Sequence, residues 1–548
     1  MTDSSHPRLQ MTPALKEEVK EILRSHCSFP PHISSTVSSF AKELARYDSL
    51  LQTAQPQPTK LAQLQAERDE LQEQYTDLQS LCAPIRRLPS EILVEIFATC
   101  WDSFIAAIDA TPLSPNDEIL RLAQAPLMTL SQVCARWHSI ALHTPALWSN
   151  IYLNTELWRD ENVDLRIAMD LLRATLERSG THLLCLETEI QFPEKWPYVP
   201  AFTLVAQHLQ RVRVLDLQCP YSDICLLGIS SGLPNLEEIV LDNWGTEAER
   251  ALRFLPECPR LKSIDISPVD PCSAKLPWEK FADVTLRLSI PLIEANEMLV
   301  VIPRLAPGTA LCLFLDFFQD DQELAENPFD GLSVNSQVSE LMIQVSQLLV
   351  PAVAGRTLEH LLQSITLPRL ETLVFWVTDG CPNPPLPWLE AFNALAERSS
   401  FCYHLSTLQL IDVAMSDSQI LDVLAALPAL TTLGISDHPT LPKISGSVEL
   451  LCITDTLLKA LVHRPDSTDL VPKLTVFECE SMLRFDDRVF LDFVSSRIDG
   501  LPEAWKPFEC TLWWKRGHRR ELDLAVSRHV RELCAAKRLT FLFAEETE

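Results

Sequence analysis

Glycine is scarce in this chain, 12 among 548 residues. No GxxxxGKS/T or GxGxxG segment occurs, so no bare backbone loop is available to cradle a phosphate, and nucleotide chemistry is not expected. Long apolar runs are missing as well. The longest charge-free stretch, LMIQVSQLLVPAVAG, falls short of the roughly 18 residues that a membrane helix needs, and it contains glutamine and proline. The opening MTDSSHPRLQ does not read as a signal peptide, and no N-x-S/T sequon is present. Paired cysteine spacing is also lacking. The 16 cysteines are scattered singly from Cys27 to Cys534 within apolar stretches such as LLCLE and ALCLF, a pattern of small buried hydrophobes in a reducing compartment. The expected location is the cytoplasm, the nucleus or both.

Basic charge is in deficit. Lys plus Arg number 46 against 74 Asp plus Glu, a net charge of −28. That balance disfavours nucleic acid and anionic membrane and makes basic partners easier to accommodate than acidic ones. With 47% hydrophobic and 22% charged residues, the chain can bury a sizeable core, as two to four ordinary domains or one solenoid.

Catalytic and metal motifs are weak. GISSG, Gly228 to Gly232, satisfies GxSxG with Ser230 in the nucleophile place, but Pro234 follows almost at once and leaves no room for the helix of a nucleophile elbow. His26 with Cys27 and Cys402 with His404 are close pairs, and neither has a second pair at zinc-ligand spacing. No catalytic residue, metal or cofactor is expected. WWKRGHRR, Trp513 to Arg520, interleaves aromatic and basic residues; in so acidic a chain it reads as the edge of a repeat strand with a solvated basic turn, or a local site for an acidic peptide, before it reads as an RNA site.

Along the chain, residues 1–35 contain Pro-Pro and no long periodic stretch, and are expected to be mostly disordered, with a helix around LKEEVKEIL. From Val37 to Leu51, the residues Phe40, Leu44, Tyr47 and Leu51 fall near helical spacing. After TAQPQPT, Leu64, Leu71 and Leu78 stand seven apart with Leu61 and Tyr75 beside them. Residues 36–82 therefore form an antiparallel helical hairpin or a short coiled coil. A homodimer through them is not favoured, because Arg68 occupies the seam and the length is near three heptads.

Two later segments carry the functional signal. PIRRLPSEILVEIF, Pro84 to Phe97, repeats Leu88, Ile92, Leu93, Ile96 and Phe97 at helical spacing, with Pro89 suited to a first turn and Glu91 to the helix dipole. LMTLSQVCARWHSIALHTPALWSNIYL, Leu127 to Leu153, carries a second apolar stripe that Pro145 stops before Trp148. Periodicity alone also fits a helical subdomain whose stripes are simply core. The order LPxEILxxIF, LxxVCxxWxxIA, TPxLW resembles the F-box family in its fungal F-box-like form, over residues 84–153 with an insertion at 98–125. That resemblance implies a Skp-type adaptor, and through it a cullin, bound by Leu88, Pro89, Ile92, Leu93, Ile96 and Phe97. A second helix would carry Val133, Cys134 and Trp137 into the same fold and partly into the same interface.

Beyond residue 154, short alternating strands recur about 25 residues apart, with gaps from about 17 to about 35. They are LLCLE, VLDL, EIVL, SIDI, VTLRL, LCLFL, LMIQV, TLVF, TLQL, TLGI, ELLCI and TVFEC. Several share the approach LPxLxxLxL, as in LPNLEEIVL and LPALTTLGI. Such units cannot bury their apolar side alone and must stack, so an α/β solenoid over 154–548 with a C-terminal cap is expected, similar to irregular leucine-rich repeats. A globular α/β fold is the alternative. The resemblance places target binding on one face of the sheet, where Asp216, Gln218, Asp265, Trp376 and Gln409 would stand. The implied function is the non-catalytic substrate receptor of a Skp/cullin/F-box ubiquitin ligase, with an unnamed protein as target. A non-ligase interaction scaffold and, more remotely, a Ser230 hydrolase are the rivals.

Overall fold

The computed structural model describes residues 11–24, 31–53, 58–109, 125–154, 165–189, 199–219, 232–242, 248–266, 275–290, 299–317, 333–346, 351–377, 388–413, 415–437, 451–464, 469–499, 506–515 and 520–545, together with positions 224, 227 and 229. The chain divides into two compact units, Met1–Arg211 and Val212–Glu548.

In the first unit, α1 (Pro13–Arg24) packs with a hairpin of α2 (Pro31–Thr53) and α3 (Pro58–Leu81). Phe40, Leu44 and Tyr47 of α2 share a core with Leu71 and Leu78 of α3. Tyr47 Oη donates to Glu67 at 3.2 Å, and Arg68, the charge in the heptad seam, pairs with Asp48 at 3.1 Å. The heptad leucines are thus used within the chain. Within residues 1–35 the expected helix around LKEEVKEIL is α1; Met11, Val19, Ile22 and Ile33 are buried, and the Met11 amide donates to Gln74 at 2.9 Å. Leu15, Val19 and Ile22 on α1 suffice once a hairpin offers a surface to receive them.

After the segment described in the next subsection, β1 (Asn150–Asn154) pairs in parallel with β2 (Leu184–Glu189), and α7 (Leu165–Arg178) connects them. Trp148 closes a short 3-10 turn and is not part of the strand; its indole nitrogen donates to Ala141 O at 2.6 Å, and Arg178 lies 4.5 Å over its ring. Helix α8 (Val199–Ala206) completes this part.

The second unit is a parallel sheet in which each strand pairs with the next along the chain. It runs β3 (Val212–Gln218), β4 (Glu238–Leu241), β5 (Ser263–Ile266), β6 (Asp283–Ile290), β7 (Ala310–Phe317), β9 (Glu340–Ser346), β11 (Thr372–Val377), β12 (Thr407–Ile411), β13 (Thr432–Ser436), β14 (Val476–Ser481), β15 (Phe508–Trp514) and β16 (Leu539–Glu545). The short strands β8 (Val334–Asn335) and β10 (Ile365–Thr366) pair apart from it. The register sets Leu215, Ile239, Ile264, Val284, Leu311, Leu341, Leu373, Leu408, Leu433 and Phe477 in one row, all buried. This arrangement, one strand per unit and stacked in order, is compatible with a solenoid. Between strands lie α9 (Ala248–Ala251), α10 (Pro351–Ser364), α11 (Trp388–Ser399), α12 (Asp417–Ala425), α13 (Asp455–Ala460), α14 (Asp487–Asp499) and α15 (Leu524–Ala535).

Arginines stitch neighbouring units together. Arg398 of α11 donates to the carbonyls of Leu362 and Ile365 at the end of α10, and Arg538 donates to Ile498 O, near the end of α14, at 3.0 Å. Arg497 of α14 is 3% exposed and donates to Leu461 O at 2.7 Å, Val471 O at 2.8 Å and Leu470 O at 3.0 Å. The carbonyls of Leu362, Leu461 and Ile498 are ones that a helix end leaves unpaired, at the negative end of its dipole, while Leu470 and Val471 offer theirs from a loop. Burial pushes the Arg497 guanidinium down to about 10.

In ELLCI the described residues 451–453 form a bend and no strand, because buried Asp437 takes two of their amides: Cys452 N and Ile453 N each donate to Asp437 Oδ1 at 3.0 Å. Its other oxygen accepts from Ser481 Oγ and Met482 N, both at 3.0 Å. Thr454 then caps α13 through the Leu457 amide. Residues 449 and 450 lie outside the described residues.

Candidate functional site

A 3-10 turn, Pro84–Arg87, leads through Leu88 and Pro89 into α4 (Ser90–Asp109), with Glu91 in the first turn. Helices α5 (Ala125–Ser131) and α6 (Ala135–His143) follow. The expected insertion at 98–125 is in its first part a continuation of α4, whose Trp101 is also buried. The turn-like residues 111–118 lie outside the described residues.

These helices have a core of their own: Leu93, Phe97, Leu127, Ala141, Leu147 and Trp148, with Trp137 edge-on to Phe97 at 5.1 Å. Leu93 and Phe97, expected at a partner surface, are fully buried and hold the helices together instead. Leu88, Ile96 and Trp137 are half-buried against this core. Pro89 is exposed, and so are three large aliphatic side chains, Ile85 at 38%, Ile92 at 47% and Val133 at 58%. Val133 and Cys134 do not belong to a helix. They form the turn between α5 and α6, where extended Cys134 precedes the first helical residue.

Arg136 was not among the expected site residues. From the first turn of α6 it donates to Arg86 O at 2.9 Å and to Leu88 O, so the Leu88–Pro89 turn is tied to α6 by backbone contacts. A cation at a helix start opposes the dipole, which is the sequence signal that it serves another purpose.

Residues 85–154 match the F-box-like family. None of the curated proteins searched matches the chain. The F-box-like match covers the 3-10 turn, α4, α5, α6 and β1, and it marks this segment as a protein-interaction module.

The sheet of the second unit brings the other expected residues to one face. Asp216, Gln218, Asp265, Trp376 and Gln409 all alternate with buried positions on their strands. Asp265 holds Arg287 through two hydrogen bonds, at 2.8 and 2.7 Å, and these raise the guanidinium above its ordinary value while its plane lies over Phe314. Gln409 donates to Glu478 at 3.3 Å. Trp376 is left 37% exposed.

Ser230 lies outside the described residues, but Gly232 sits against the backbone of Glu257 and the chain turns at Pro234 toward β4, with no helix between. Of WWKRGHRR, Trp513 and Trp514 end β15 inside the sheet, Lys515 is buried between Asp412 and Glu480, and Arg520 pairs with Asp487. Among the described residues no group of three His, Cys, Asp or Glu is placed to hold a metal ion, and no helix is long and apolar enough to cross a membrane.

Proposed function

We propose that this protein is a non-catalytic substrate receptor of a Skp/cullin/F-box ubiquitin ligase. The observation that carries the reading is the F-box-like match at 85–154, on helices that close their own core yet leave Pro89, Ile92 and Val133 exposed. Apolar side chains that a small module does not need for its own packing are what a partner can bury. In this reading the Skp-type adaptor covers that surface and links the chain to a cullin, while the exposed face of the parallel sheet holds a target protein. Catalysis would then come from proximity, since the target's lysines are held at high effective concentration near a ubiquitin-loaded enzyme.

The test is co-expression of the full chain with its host's Skp-type adaptor and gel filtration of wild type and of Leu88→Ala/Pro89→Ala. A stoichiometric complex lost in the variant is expected. A complex that forms but never recruits a cullin would favour an interaction scaffold outside the ligase, and labelling of Ser230 by an active-site serine probe would overturn the non-catalytic reading.

A further inference from the structure

A cavity of about 190 Å³ opens on the sheet face where β12, β13 and β14 lie side by side. Gly434 lies on its floor. It stands in register between Gln409 and Glu478, and a Cβ added there would come within 2.9 Å of Gln409 Cγ, so the absence of a side chain gives Gln409 room to lean across toward Glu478. Ile411 and Trp513 wall the cavity. Gln409 Nε2 donates to Glu478 Oε2, which leaves the amide oxygen of Gln409 and the second oxygen of Glu478 to accept from a ligand.

Two carboxylates, Glu478 and Glu480, line the cavity. Glu480 is held by Ser436 Oγ and Lys515 Nζ at 2.9 Å each. Lys515 is itself shared with Asp412, and Glu478 is a further carboxylate on the lining. Among the described residues that line it there is no Lys or Arg.

We propose that this cavity receives the guanidinium of an arginine side chain presented by a bound protein. The proposal rests on the reading that the sheet face holds a target, and it names what that target must offer. A planar, weakly hydrated cation suits a site with an aromatic wall, an aliphatic wall and few acceptors; a compact, strongly hydrated ammonium would lose more water than these groups replace. The excess acid of the whole chain would draw such a partner in.

The experiment labels the full chain with 5-fluorotryptophan, assigns the Trp513 resonance with Trp513→Phe, and titrates it with N-acetyl-arginine methylamide, without adaptor. A saturable shift of that resonance is expected, weakened about fivefold or more by Glu478→Gln, which keeps the shape and removes the charge. Gly434→Val should abolish it, because the added side chain would push Gln409 from its place beside Glu478 and crowd the cavity. N-acetyl-citrulline methylamide, which matches the shape of arginine without its charge, should leave the resonance unmoved. No saturable shift with arginine, an equal shift with citrulline, or an equal shift with N-acetyl-lysine methylamide would each overturn the proposal. Since the chain is used alone, failure of adaptor binding would leave this result untouched, and failure here would leave the adaptor reading standing.

Discussion

The guanidinium of Arg136 holds the carbonyl oxygen of Leu88, joining two points 48 residues apart in sequence. With the 2.9 Å bond to Arg86 O it fixes the path of the turn that presents Pro89, while touching no exposed apolar side chain itself in these bonds. Arg136→Met should therefore weaken adaptor binding by loosening the turn. The expected cost in stability is about 1–3 kcal/mol, since it leaves carbonyls to find water. Calorimetric titration of adaptor into the variant, beside its melting curve, checks this; unchanged affinity would show that the turn keeps its path without the clip.

Ile92 and Leu93 are neighbours on α4 with opposite surroundings, the first nearly half exposed and the second fully buried. Leu93→Ala should cost about 2–5 kcal/mol and reduce adaptor binding only through unfolding. Ile92→Asp should leave the melting temperature within a few degrees and abolish co-elution with the adaptor, because it places a charge in the middle of an apolar contact. Equal melting losses in the two variants would mean that Ile92 is also core.

This pair shows what the sequence could convey and what it could not. The run ILVEIF is apolar at Ile92, Leu93, Ile96 and Phe97, so its periodicity announces a helix yet does not say which half of a wide stripe faces inward. The strand rows were easier to read, because the LPxLxxLxL approach repeats the same buried position in unit after unit; Leu236 and Leu370 are both fully buried. β16 escaped because LTFLFAE lacks that approach and is apolar on both faces. ELLCI deceived for a longer-range reason: Cys452 and Ile453 are as buried as strand residues, but their amides go to Asp437, 15 and 16 residues away. The cavity beside Gly434 depends on register across three strands, which no local pattern states.

Asp437 is fully buried and accepts from backbone amides on two segments and from one hydroxyl. Asp437→Ala would leave those donors without an acceptor in the interior, and a loss of about 3–5 kcal/mol is expected. Asp437→Asn should recover only part of it, since the amide presents one acceptor oxygen where the carboxylate uses two. Denaturant unfolding of the three proteins tests this, and a small loss in Asp437→Ala would mean that water replaces the carboxylate.

Alkali should expose the buried thiols of the sheet. Cys452, Cys479 and Cys510 are all buried, and burial raises each above its ordinary value of 9.0. In the unfolded chain these thiols ionise as the pH passes about 9, while in the folded chain they keep their protons, so the folded state binds more protons and stability falls as pH rises. The slope from each thiol approaches about 1.4 kcal/mol per pH unit once the unfolded thiol is ionised. Below pH 8 the three should contribute no pH dependence. Replacing Cys479 and Cys510 by alanine lowers stability at every pH by removing buried sulfur, yet it should make the decline between pH 9 and 10.5 shallower. The slope, unlike the starting stability, isolates the ionisation from the packing. A double variant with the same alkaline slope as wild type would show that these thiols reach solvent before the unit unfolds.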